Sequence, residues 1–161
     1  MSNAAFCLAR RQKERAAFVK VLSAVIPDGL DFRPDPKART ARDLAWLIAA
    51  EEAALVELLD TGVIDWKEQP PPGSIKQIVD FYEKHAQEVD ARMAKLDDAA
   101  WQKPGKFLYG GTPVWEDTVG ELVWGHLLDA IHHRGQLSTY LRPMGSKVPS
   151  IYGPSGDDTG Q

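Results

Sequence analysis

Hydrophobic residues recur at helical spacing in four stretches of the chain, and connectors rich in proline and glycine separate them. In the first stretch Phe18, Val21, Leu22 and Val25 repeat at i, i+3, i+4 and i+7, which predicts an amphipathic helix stopping before Pro27-Asp28-Gly29. Thr40 is placed to cap a second helix over about Ala41 to Asp60. Pro70-Pro71-Pro72-Gly73 breaks the chain again. Ser74 with Gln77 three residues on then reads as a capping box. Behind it Ile75, Ile78, Val79, Tyr82, Val89, Met93 and Leu96 form one apolar stripe. A connector from Asp97 to Gly111 follows. Thr112-Pro113 reads as a cap with proline at the first helical position, opening a last long helix that ends at Pro143 and Gly145. The tail from Ser146 has no periodicity and is expected to be extended or loose.

No segment reads as a convincing strand. Four helices with one apolar face each bury those faces most simply against one another, so the expectation is an all-α four-helix bundle. A length of 161 residues suits one domain, 1–161, with 146–161 as its tail.

Charge and composition narrow the function classes. Lys and Arg number 19 against 23 Asp and Glu, a formal net charge of −4. That balance argues against nucleic-acid binding, which depends on neutralising phosphates with basic side chains. No apolar run reaches the roughly 18 residues that span a bilayer, and the first twenty residues lack a signal-peptide core. The single cysteine, Cys7, has no partner for an internal disulfide, so the reducing cytoplasm is the expected compartment. No basic or histidine partner for Cys7 can be identified from spacing. Gly110-Gly111 reads either as a turn or as an anion rest before a helix. Walker, GxGxxG and GxSxG motifs are absent.

Chemistry in a bundle shows as polar side chains on an apolar face. Turning about 100° per residue along the second helix gathers Leu44, Leu47, Ile48, Leu55 and Leu58, with Glu51 in their midst and Glu52 at the edge. A carboxylate aimed at a core must be paired, protonated, metal-bound, or at a splayed end open to water. The last helix repeats the anomaly. Its inner stripe is Val119, Leu122, Val123, Ala130, Leu137, Tyr140 and Leu141. His126 and His133 project into that stripe, Asp129 borders it and His132 points away. Asp129 and His133, spaced i, i+4, can chelate one ion, and His126 with Asp129 at i, i+3 is a second pair. Histidines hydrogen-bonded within a core would give the same pattern. His85 lies at the margin of the third stripe. Leu127, Ile131 and Trp124 fall away from the inner stripe and predict a second apolar surface that a homodimer would cover.

The run His126-Leu-Leu-Asp-Ala-Ile-His-His-Arg-Gly-Gln136, with Val148-Pro-Ser-Ile-Tyr-Gly-Pro154 behind it, resembles the C-terminal signature of the DinB/YfiT-like family. This is the damage-inducible helical family, not the polymerase that shares the name. Thr40-Ala-Arg-Asp-Leu-Ala-Trp-Leu-Ile-Ala49 resembles its second-helix motif, and the helix order agrees along essentially the whole chain. The resemblance implies three histidines on a divalent ion (zinc, nickel or manganese), one in the second helix and two spaced i, i+4 in the last. Carried onto this chain, the last-helix positions are Asp129 and His133 and the second-helix position is Leu47. One histidine is thus kept, one is replaced by an oxygen ligand and one is lost. Glu51, one turn beyond Leu47, can bring an oxygen to the vacated corner.

Members of the wider family use low-molecular-weight thiols such as bacillithiol or mycothiol in transfer and isomerisation. The resemblance therefore implies a metal that lowers the pKa of a substrate thiol. Two readings follow. One is a metal-dependent transferase or hydrolase-like protein with Asp129 and His133 as ligands, completed by Glu51 or His126. The other is a metal-free helical protein with a binding or stress-related role.

Overall fold

The structure is a computed structural model, and it describes residues 2–160. Four long helices carry most of the chain: α1 (Asn3–Ser23), α2 (Ala41–Thr61), α3 (Ile75–Met93) and, after the short α4 (Asp98–Trp101), α5 (Val119–Leu141). The capping residues read from the sequence act as caps in α2 and α3. Thr40 Oγ1 accepts from the Asp43 amide at 3.1 Å, and Ser74 Oγ from that of Gln77 at 3.3 Å.

The all-α expectation is corrected by a sheet of three strands, β1 (Val63–Trp66), β2 (Pro104–Tyr109) and β3 (Thr112–Thr118), in the order β1-β2-β3. β1 and β2 run parallel, with α3 and α4 in the crossover, and β2 and β3 form an antiparallel hairpin. Two causes hid the sheet. β1 has four residues directly after α2, and β3 is almost wholly exposed, so neither shows buried alternation. Thr112-Pro113 also imitates a helix start. It opens an edge strand instead, where proline costs no ladder hydrogen bond that a central strand would need. The turn before it is Gly110-Gly111, with φ of 58° and 77°, as a tight two-residue hairpin loop requires. The true cap of α5 is Thr118, whose Oγ1 accepts from the Glu121 amide at 3.2 Å.

Inside, the apolar residues separate into two clusters. One joins Phe18, Leu22, Leu44, Ile48, Tyr82, Leu137 and Leu141, and the other joins Cys7, Leu55, Leu58, Val89, Met93, Leu122 and Val123. Between them along the helices lies a layer of ionisable groups, Arg11 and Arg15 on α1, Glu51 and Glu52 on α2 and His126 on α5, and Asp90 of α3 pairs with Arg15 at its border. Every residue assigned to the inner stripe of α5 is buried. Leu127 is not outward-facing as expected but lies in the first cluster, and Trp124 and Ile131 pack at its margin.

The tail is not loose. Lys20 Nζ donates to the Ser150 carbonyl at 3.2 Å, and the Asp157 carboxylate accepts from the Val148 amide at 2.9 Å and Arg142 Nε at 2.8 Å. Tyr152 donates to Glu14 at 2.7 Å, and the same carboxylate takes Arg134 at 2.6 Å. This knot ties the tail to α1 and α5. No helix among the described residues is long and apolar enough to cross a membrane.

Candidate metal centre

Two adjacent carboxylates on α2 enter the ionisable layer and meet opposite surroundings. Glu52, expected at the edge of the apolar face, is as buried as Glu51, because Arg11 of α1 covers it and forms an ion pair with it. Glu51 turns the other way, toward α5. Its Oε2 is buried with no hydrogen-bond partner, and no arginine or lysine pairs with it among the described residues. Burial, and then the charge of Asp129, hold the Glu51 carboxyl well above the usual carboxylate range; Arg39 opposes this more weakly.

Asp129 and His133 supply the other side. His133 Nε2 lies 3.3 Å from Asp129 Oδ2, one helical turn away, and one ligand atom each of Glu51, Asp129 and His133 lies within 4.8 Å of the other two. The His133 side chain is 12% exposed and that of Asp129 57%, so the cluster has a dry wall and a wet opening. Gln136, not among the candidates that periodicity marks out, joins the cluster. Its Oε1 accepts from His133 Nδ1 at 2.8 Å, so in the neutral imidazole the Nε2 lone pair is the one that faces the carboxylates. The signal for it was the i, i+3 spacing within the His-His-Arg-Gly-Gln run.

Three acceptors therefore converge without a protein donor between them. Such a group is favourable only with a shared proton or a cation in its midst. A histidine oriented through its other nitrogen is also the usual form of a metal-binding imidazole. The donors fit a divalent ion with oxygen and nitrogen ligands.

The remaining candidates stand apart. His126 is buried under the sheet, its ring stacked on Trp115 at 6.2 Å with Phe107 at 5.6 Å, and its Nδ1 donates to the Leu122 carbonyl at 2.8 Å. Burial pulls its pKa below the ordinary histidine value. Trp115 can approach because Gly125 has no side chain; a Cβ there would stand 2.0 Å from the indole. Leu47 is half-buried and lines a cavity beside the cluster, offering no donor at the corner where the resemblance implies histidine. His132 is exposed, and His85 Nδ1 donates to the Phe81 carbonyl at 2.8 Å. Cys7 is fully buried, and burial pushes its thiol up to about 11.

The fold is shared with solved proteins. A DinB-like protein from Bacillus cereus ATCC 10987 is 25% identical, with 91% of this chain and 95% of that one covered at a TM-score of 0.73. A DinB-like protein from Bacillus subtilis is 15% identical, with 90% and 96% covered at a TM-score of 0.70. No curated protein matches the chain. The sequence matches the DinB family over residues 1–160. With an agreement that spans both the last helix and the tail behind it, the chain belongs to the DinB family.

Proposed function

We propose that this protein holds a divalent cation through Glu51, Asp129 and His133 and uses it to activate a small-molecule substrate at the wet side of the cluster. The observation that carries the reading is the unpartnered, buried Glu51 oxygen facing two further acceptors. Gln136 would keep His133 in the ligating tautomer. The cation would supply Lewis acidity, and with it a lowered pKa for a bound thiol or water. A thiol-dependent transfer suits this reading, and the thiol would come from the substrate, since Cys7 is buried and held protonated. The second reading, a metal-free binding protein, is favoured by Leu47, which removes one nitrogen ligand from the pattern that the family resemblance implies.

Calorimetry with zinc, nickel and manganese on chelator-treated protein separates the two. One ion per chain is expected, with affinity falling about 100-fold or more in His133→Ala and about 10-fold or more in Glu51→Gln, since each removes a ligand. Leu47→His should tighten binding. Absence of stoichiometric uptake by the natural protein, with uptake by Leu47→His, would leave the metal-free reading.

For assembly we propose a homodimer. Phe6 and Leu128 are exposed beside Trp124, whose ring lies 6.1 Å from that of Phe6, and together they form an apolar patch for a second copy to cover. A clean monomer by sedimentation at micromolar concentration would reject it.

A further inference from the structure

We propose that the cavity between α2 and the segment from Trp66 to Pro71 binds a small organic anion, with its charged group on Arg39 and its apolar body against Trp46 and Trp66. The cavity measures about 400 Å³, within the range of small-molecule sites. Leu47 and Ala50 line it from α2, and Leu47 stands one helical turn before Glu51 on the same face. Arg39 also borders a second recess of about 550 Å³ that Gln136 lines, and its charge reaches Glu51. One guanidinium therefore lines both recesses.

The other charges of the lining are engaged. Lys67 pairs with Asp65 at 2.9 Å, Asp43 accepts the Thr40 hydroxyl at 2.6 Å, and Glu68 accepts the Tyr109 hydroxyl at 3.1 Å. Arg39, an exposed residue at the rim of the cavity, makes no ion pair or side-chain hydrogen bond among the described residues and is free to meet a ligand there. A planar, permanently charged fork of donors is matched by a carboxylate, phosphate or sulfonate. The apolar side is held in place too: Trp46 Nε1 donates to the Gln69 carbonyl at 2.8 Å, and its ring stands 4.7 Å from Phe81. The groove continues past Trp46 and Trp66 into a recess of about 300 Å³, which gives a flat or extended body room.

As the substrate class of the cation centre this inference rests on the metal reading, but anion binding itself can be measured without metal. Chelator-treated protein is titrated with 2-naphthoate and with its neutral amide, and the indole N–H signals of Trp46 and Trp66 are followed by NMR. The acid should shift both signals and bind about 10-fold more tightly than the amide. Arg39→Gln should weaken the acid about 10-fold and leave the amide unchanged, whereas Lys67→Gln should change little. Equal binding of acid and amide, an unaffected Arg39→Gln, or no shift at either indole overturns the site. Acid binding that needs added zinc and ignores Arg39 also overturns it while the metal reading stands. Arg39-dependent binding in a protein that takes up no zinc keeps the anion site and removes the metal.

Discussion

Glu51 and Glu52 are neighbours on one helix, equally removed from solvent, and differ in what faces them. Glu52 meets Arg11, and the two charges neutralise each other between α1 and α2. Glu51 meets the carboxylate of Asp129 and the imidazole of His133, with no arginine or lysine among them, and keeps one oxygen with no partner. The first is a pair of opposite charges, joined through one guanidinium nitrogen while Arg11 Nε stays unpartnered, and its loss damages the fold. The second is an incomplete set, and a folded protein tolerates that where a ligand or proton completes it. Burial alone thus does not distinguish a structural carboxylate from a ligating one; the sign of its neighbours does.

The comparison breaks most sharply through stability. Arg11→Ala strands a buried carboxylate and should cost about 3–5 kcal/mol in urea unfolding, with much of it recovered when Glu52→Leu is added. Glu51→Gln in chelated protein should stay within about 1 kcal/mol of the natural chain or above it, because it removes a poorly solvated acid rather than half a pair. A large loss there would place Glu51 with Glu52 as a structural residue. Next in size is Gln136→Ala, which should weaken metal binding about 10- to 100-fold with little change in unfolding, the signature of a residue that positions His133.

His126 predicts a smaller, pH-dependent effect. Its folded pKa is depressed, so as pH falls below about 6.5 the unfolded chain takes up the proton first and stability is lost. Relative to His126→Phe, the natural protein should therefore lose at most ~1.4 kcal/mol per pH unit until the folded pKa is passed, and show no slope above neutrality. A flat difference over that range would mean that the ring is charged or solvated. Least of all should happen at Cys7: a disulfide reagent at neutral pH should label it only as the chain unfolds.

Much of this was legible residue by residue. Thr40 and Ser74 cap helices where the sequence placed them, because a cap is a local hydrogen bond within one turn. The inner stripe of α5 and the inward turn of Glu51 follow from helical spacing alone. The hairpin was less accessible. Its glycine pair was visible, but an exposed edge strand carries no burial pattern, and Thr-Pro has a second meaning at a helix start. That one ambiguity propagated: the sheet residues Trp115 and Phe107, which pack against His126, were not foreseen as its neighbours.

By itself, then, the sequence determined where the long helices run and which of their faces carry ionisable groups, since both depend on contacts within three or four residues. Which of those groups are paired was decided only in three dimensions. Arg11 reaches Glu52 across 41 positions of chain, and the meeting of Glu51 with Asp129 and His133 depends on how α2 lies against α5. Periodicity tells a side chain which way to point, but the partner it finds there, and hence whether its charge is neutralised or left for a ligand, belongs to the packing of distant segments.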